Sequence, residues 1–251
     1  MRLQNVSCWE PTDVTDPFVP AAGRLYERTL DPDERIPWEW IERGIAGRSV
    51  RTAGWRRHLI LAAPGGPAAR PDALAGYAFG AFIPGYGGYL SYMGVDEAAR
   101  GAGVGRKLFE AFFERAAADA AAAGEALPFV VWESHRPEPD EPPAAHDIWA
   151  ARVRLFDKVG GLWVKGVELL TPNYGADGTD PVPLQLFVKP VDRPAVGFTP
   201  QRLWGVVEGL YERVYRIDPG EPLFDQTVRP GVRPELVPAR EAGAAPLVVR
   251  I

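Results

Sequence analysis

The sequence predicts a mixed α/β fold, α+β in character: a mostly antiparallel central sheet flanked by helices, with a C-terminal helical extension. Three observations carry this. Two strand-like runs, Leu74–Ile83 and Tyr89–Val95, are joined by the short turn Pro84-Gly-Tyr-Gly-Gly88, which reads as an antiparallel hairpin. An apolar strand, a glycine-rich loop, a long amphipathic helix and a second strand at Pro128–Glu133 follow in turn, a crossover that would set its two strands parallel. Two later runs, Leu162–Leu170 and Pro183–Lys189, read as a closing antiparallel pair.

In chain order, residues 16–46 read as a broken helix, with Phe18, Ala21, Ala22 and Leu25 at helical spacing. Asp31-Pro-Asp-Glu-Arg-Ile-Pro37 interrupts the pattern, and Pro37 is expected to open a second helix buried through Trp38, Ile41 and Ile45. Trp55–Ala62 is a strand, and the proline- and glycine-rich Ala63–Ala73 is a loop. After the hairpin, Leu108, Phe109, Phe112, Phe113, Ala116, Ala117 and Ala120 give a wide apolar helix stripe. Arg106–Glu110 and Arg115–Asp119 are spaced to pair on its exposed side, and Gly124 is its stop. Pro128–Glu133 is nearly all apolar, as expected of a strand covered on both faces. Ser134–His146 is a loop with four prolines and three acids, Glu138, Asp140 and Glu141. It fits either a lid selecting a cationic amine or a solvated insertion. Ile148–Lys158 is a helix with Trp149, Val153 and Phe156 inward, stopped by Gly160-Gly161. Thr199-Pro200 caps a helix to residue 216 along Leu203, Val207, Leu210 and Val214. This helix has two roles open to it, building a homodimer or capping a substrate groove. From Pro219 prolines recur and periodicity fades, which suggests a tail on the body of the protein or one partly mobile.

Composition narrows the functional classes. Of 251 residues 46% are apolar and 24% charged, an ordinary soluble balance. The net charge of −5 argues against a nucleic-acid surface. No apolar run nears the roughly 18 residues of a membrane span, and the first residues lack a signal-peptide stretch, so no membrane partner and a cytoplasmic location are expected. Cys8 is the only cysteine, and reads as a small buried hydrophobe or a reactive thiol. With it, three scattered histidines, His58, His135 and His146, make a metal centre unexpected.

The glycine loop Arg100-Gly-Ala-Gly-Val-Gly-Arg106 stands where a helix N-terminus presents free backbone N–H groups, a natural phosphate site. A nucleoside-triphosphate loop would need Lys-Ser/Thr after the last glycine, and Gly105 is followed by Arg-Lys-Leu. A dinucleotide loop would need glycine where Arg106 stands. A ligand-free glycine turn is the remaining structural alternative.

Arg100-x-x-Gly103-x-Gly105, set between a strand and an amphipathic helix, resembles the acetyl-CoA pyrophosphate loop, Arg/Gln-x-x-Gly-x-Gly/Ala, of the GNAT N-acetyltransferase superfamily. The likeness in element order extends over about residues 16–190, giving a GNAT-like acetyltransferase domain at 1–190 and a C-terminal extension at 191–251, with its helix near 199–216 and then the proline-rich tail. The resemblance implies acetyl-CoA as co-substrate, without a metal. It assigns the backbone of Met93, Gly94 and Val95 to the pantetheine arm and thioester carbonyl. The N–H groups of Gly101, Ala102, Gly103, Val104, Gly105 and Arg106 would hold the pyrophosphate. Arg100 and Arg106 would add charge, although Arg106 could equally be a solvated partner of Glu110.

The implied reaction moves an acetyl group to a primary amine, of a small molecule or a peptide, by direct attack in a ternary complex. Many family members place a tyrosine acid, preceded by an asparagine, in a segment that corresponds to Leu155–Gly161. Here Phe156 takes the tyrosine position and Trp149 the asparagine position. Those departures leave room for a GNAT-fold acyl-CoA sensor or scaffold without turnover. Read from the residues, Glu133 at a strand end beside Trp132 is the candidate base, since apolar walls would favour its neutral form. Its structural alternative is a partner for Arg152 or Arg154. Tyr92 and Tyr174 are the candidate acids, with a core position and a turn as their respective alternatives. His135 and His146, flanking the proline-rich loop, could titrate usefully or sit plainly on the surface.

Overall fold

A computed structural model describes residues 5–48, 54–174, 180–191, 197–228 and 231–244. They form a mixed α/β fold of mostly antiparallel strands flanked by helices, divided into two compact units: Met1–Val130 with Tyr174–Gly178, and Val131–Asn173 with Thr179–Ile251. No described helix is long and apolar enough to cross a membrane.

In the first unit, β1 (Val6–Trp9), β2 (Arg57–Pro64), β3 (Gly76–Ile83) and β4 (Gly87–Val95) pair in that order, each antiparallel to the next. The hairpin read from the sequence is β3–β4. The helices α1 (Phe18–Thr29) and α2 (Trp38–Ile45) pack on one face, where Leu59, Leu61, Tyr77 and Phe79 meet Phe18, Val19, Leu25, Tyr26 and Ile41. The long helix α3 (Val104–Ala122) crosses the other face, lying against all four strands. Alternation along each strand separates the two layers. Gly80 of β3 shows how close the second layer comes: a Cβ there would clash with Tyr89 O and stand 2.5 Å from Phe112 Cε2.

Several local expectations shift. Pro37 is the residue before α2 and not its first, and it stands extended at φ −53°, ψ 132°. The α3 stripe is narrower than read, with Ala117 exposed and Phe113 only half-buried. Arg115 and Asp119 do not pair with one another along the helix; Arg115 reaches Glu10 at 2.9 Å and Asp119 takes His58 at 2.7 Å. Those partners come from outside the helix, and Asp119 keeps little solvent contact in exchange. Strand β1 itself was not foreseen, being too short to show a period. Its Cys8 is half-buried, and burial pushes the thiol's pKa up, which fits the hydrophobe over the reactive nucleophile.

The second unit holds the end of β5 (Phe129–Ser134), then α4 (Pro143–Lys158), β6 (Leu162–Lys165), β7 (Leu169–Thr171) and β8 (Val182–Pro190). Residues 162–170, read as one strand, are two; both pair antiparallel with β8, and Gly166 at φ +90° lies in the break. Trp132, Trp149, Phe156 and Phe187 make an aromatic core, with Phe156 and Phe187 centroids 4.7 Å apart. Beyond it come α5 (Pro200–Gly209), a π-helical segment at Leu210–Tyr215, α6 (Pro222–Thr227), β9 (Glu235–Pro238) and α7 (Arg240–Ala244). The Thr199 hydroxyl accepts from the Arg202 N–H, the cap expected of it. Of the stretch after Pro219, the described residues are built into the unit: β9 pairs with β6, and α7 packs on α4 with Arg240 Nη1 3.3 Å from Asp157 Oδ1, while residues 245–251 of the expected tail lie outside the described residues.

Candidate functional site

The pattern residues lie in the first unit, along the end of β4 and the start of α3. A β-bulge shapes the strand just before them. Phe79 pairs with Tyr92 but Gly80 with Leu90, so Ser91 is an extra residue. Past it, Tyr92 and Gly94 turn to the α1 face, while Met93 and Val95 share a face with their partners Ala78 and Gly76. Gly94 leaves space for the Tyr77 and Thr29 hydroxyls, which bond at 3.1 Å directly over it.

Asp96 then fixes the turn. Its Oδ1 accepts from the Ala98 N–H at 3.0 Å and its Oδ2 from Arg28 Nη2 at 2.9 Å, tying the turn to the last turn of α1. A single 3-10 turn, Glu97–Ala99, follows, and Arg100 is extended and exposed. Gly101 and Gly103 have φ of +77° and +83°, a left-handed conformation that side chains rarely adopt. A Cβ on either would touch nothing, so the demand for glycine there is one of backbone conformation and not of space. Such residues alternating with ordinary ones turn successive N–H groups toward a common concavity, suited to an anion. Val104 and Gly105 are buried as α3 begins, and the first N–H groups of a helix have no carbonyl of their own helix to bond. Arg106 Nε donates to Glu110 Oε1 at 2.7 Å with both side chains exposed, a pair weak enough to exchange for another anion.

The two candidate tyrosines of this unit differ. Tyr92 is half-buried, its ring edge-on to Tyr26 at 5.2 Å. Burial pushes the Tyr26 phenol well above its usual pKa, and a hydrogen bond with Tyr92 offsets part of this; Tyr26 also donates to Ile36 O at 3.0 Å. Tyr174 is exposed, 6.1 Å from the exposed ring of Trp40.

Glu133 belongs to the second unit. Its carboxylate accepts a hydrogen bond from the hydroxyl of Tyr215, at the end of the π-helical segment. Of the arginines considered for it, Arg152 turns Nη1 to Ser134 Oγ at 3.5 Å. Tyr215 was missed by sequence reasoning. Periodicity put Val214 on the buried stripe, whereas the π-helical turn changes the phase of the last residues and leaves Val214 half-buried. Beside Tyr215 stands Tyr211, fully buried, with rings edge to face at 5.4 Å. Burial, with the charge of Glu133 as a further contribution, pushes the Tyr211 phenol up to about 12, against hydrogen bonds to Thr227 and Leu170 O that lower it. Phe156, in the position the resemblance gives to a tyrosine acid, is a core residue between Trp132 and Phe187. Trp149, in the asparagine position, is buried in the same cluster. In the proline-rich loop Glu141 folds back, accepting from the Glu138 N–H at 2.9 Å with His135 Nε2 at 3.6 Å, while Glu138 and Asp140 stay exposed. His146 lies within α4.

Residues 20–136 match the model of the acetyltransferase (GNAT) family. Solved structures agree in fold. A protein described as a GNAT-family acetyltransferase from Bacteroides thetaiotaomicron aligns over 85% of this chain and 99% of its own, with 18% identity and a TM-score of 0.55. The NAA60 protein of Arabidopsis thaliana, solved with acetyl-CoA, aligns over 75% of this chain and 100% of its own, with 15% identity and a TM-score of 0.51. No curated protein matches the chain in sequence.

Proposed function

We propose that this protein transfers the acetyl group of acetyl-CoA to a primary amine, of a small molecule or a peptide, by direct attack. The observation that carries the reading is the loop 100–106, whose two left-handed glycines stand at the N-terminus of a 19-residue helix. A pyrophosphate suits such a cradle because its charge meets both the N–H groups and the helix dipole. In this reading the N–H groups of Gly101, Gly103, Val104, Gly105 and Arg106 receive the phosphates, the Ala102 N–H being turned back to Ala99 O at 3.3 Å, and Arg100 and Arg106 add charge. The backbone of Met93, Gly94 and Val95 aligns the pantetheine arm and polarises the thioester carbonyl. The GNAT family match and the fold likeness to a protein solved with acetyl-CoA support the donor.

The acceptor arrives as an ammonium, and Glu133 takes one proton, freeing the nitrogen lone pair. That lone pair attacks the thioester carbon, and a C–N bond forms as the carbonyl electrons move to oxygen. The carbonyl re-forms, the C–S bond breaks, and the thiolate leaves. One of the two protons lost by nitrogen ends on the sulfur and the other in solvent. Tyr92 and Tyr174 are the candidates to protonate the thiolate. A general acid contributes on the order of 10²–10⁴ in rate, so Tyr92→Phe and Tyr174→Phe separate them.

Isothermal titration with acetyl-CoA tests the donor, with binding at micromolar concentration expected and no binding at millimolar concentration overturning it. Thiol release over a panel of small amines and peptides tests the transfer. Release with any acceptor excludes an acyl-CoA sensor without turnover; binding without release on the whole panel favours that sensor.

A further inference from the structure

The hydrogen bond between Tyr215 and Glu133 joins residues 82 positions apart, and no motif of the acetyltransferase domain includes the tyrosine. Its placement is unusually well supported. The Tyr211 hydroxyl donates to Leu170 O at 2.5 Å and lies 2.6 Å from Thr227 Oγ1, which in turn receives the Leu170 N–H at 3.2 Å. This buried network locks the π-helical segment to β7 and α6. Tyr211 then backs the Tyr215 ring edge to face, and Phe224 backs Tyr211 at 5.5 Å. Directly after Tyr215, Arg216 takes a left-handed conformation, φ +62°, that ends the segment. The phenol is therefore held by rigid structure on one side and spends its proton on a carboxylate on the other.

We infer that Tyr215 is a positioning residue for Glu133, supplied by the C-terminal extension, which fixes the carboxylate and favours its charged form as proton acceptor. The inference rests on the acetyl-transfer reading above. A phenol donating to a carboxylate stabilises the anion over the acid, so the base stays ionised to lower pH. Of the ionisable groups of this unit, Tyr215 donates to Glu133, Tyr211 feels its charge, and Arg152 turns to Ser134. The role of proton donor that Phe156 cannot fill is not transferred to Tyr215; its part is to hold the base.

The test uses the full chain and Tyr215→Phe, which keeps the ring and its packing. Hydrogen bonds to charged groups are strong enough that kcat should fall about tenfold or more, and the acid limb of its pH profile should move up by about one pH unit. KM for acetyl-CoA and the calorimetric affinity for CoA should stay as in the wild type. In a Glu133→Gln background the same substitution should change the rate less than twofold, because Tyr215 then has no base to hold. Replacing Tyr215 by 3-fluorotyrosine, a stronger donor, should move the acid limb down. An unchanged pH profile in both variants, or full additivity with Glu133→Gln, overturns the inference while leaving acetyl transfer intact. A wild-type chain that neither binds acetyl-CoA nor releases thiol overturns both.

Discussion

His58 donates from Nε2 to Asp119 Oδ2 across 2.7 Å, and from Nδ1 to Glu10 Oε1 across 2.8 Å, with the ring 1% exposed. Two carboxylates facing both ring nitrogens require the imidazolium, because a neutral ring has only one N–H. Arg115 Nε also reaches Glu10 at 2.9 Å, and Arg56 Nη1 stands 3.7 Å from Asp119. The cluster ties β1, β2 and α3 together at the far end of the helix from the glycine loop.

Burial alone would push the His58 pKa down; its hydrogen bonds to Glu10 and Asp119 outweigh this and raise it above 6.5. A raised histidine stabilises the fold fully below its unfolded pKa, and that contribution is lost as pH rises through the folded value. Glu10 runs the other way. Burial opposes its charge but His58 and Arg115 hold its pKa below 4.5, so its contribution is present above 4.5 and lost as pH falls. Urea unfolding from pH 4 to 9 should therefore show greatest stability between about 4.5 and 6.5 and a decline above. His58→Ala should cost about 3–5 kcal/mol at pH 6, as for a broken buried charge pair, and flatten the alkaline decline. A wild-type profile level from pH 6 to 9 would contradict the imidazolium.

Gly103→Val tests the cradle without disturbing the core. A side chain at φ +83° is strained by roughly 1–2 kcal/mol, yet its Cβ meets no atom of the protein. The variant should fold, melt a few degrees lower, and lose at least a hundredfold in affinity for acetyl-CoA by calorimetry. Equal affinity in variant and wild type would place the ligand elsewhere.

Tyr211→Phe removes the hydroxyl that serves both Leu170 O and Thr227. Stranding those buried groups should cost about 1–3 kcal/mol in chemical denaturation. Because Tyr211 backs Tyr215, the variant should also lower kcat while leaving CoA affinity in place. A loss of CoA binding with unchanged stability would be the contrary result.

Gly80→Ala adds one methyl group where β3 meets both β4 and α3. Its new carbon would overlap Tyr89 O and press on Phe112. Overpacking of this kind costs about 1–3 kcal/mol, and backbone oxygen cannot rotate away, so the upper end is expected. Thermal unfolding measures it; a shift under 2 °C would mean that the sheet yields more easily than its packing implies.

Much of this fold is legible in the sequence because its signals are local. The β3–β4 turn, the glycine loop, the α3 stripe and the Thr199 cap each lie within a few residues of the element they define. The candidate donor loop is read the same way, from six residues and their neighbours. What was not legible depends on distant partners. Asp119 is spaced to pair with Arg115, but His58, 61 residues earlier, takes it. The strands β1 and β9 have four residues each, too few for a period, and exist through pairing with β2 and β6. The partner of Glu133 lies 82 residues on, brought round by a π-helical turn that leaves no mark in hydrophobic spacing.

The extra residue at Ser91 has a consequence for how this strand tolerates change. Leu90 pairs with Gly80, toward α3, and Tyr92 pairs with Phe79, toward α1, although two positions apart they would share a face in a regular strand. Substituting Ser91 leaves that switch in place, because the count of residues is unchanged. Deleting it closes the ladder without turning either half: Leu90 and Tyr92 become neighbours, which in a regular strand face opposite sides, so Leu90 stays opposite Gly80 and Tyr92 opposite Phe79. The strand leading to the glycine loop thus keeps its sidedness with or without this spacer, and what Ser91 contributes is the local bend and added twist with which the chain enters the loop.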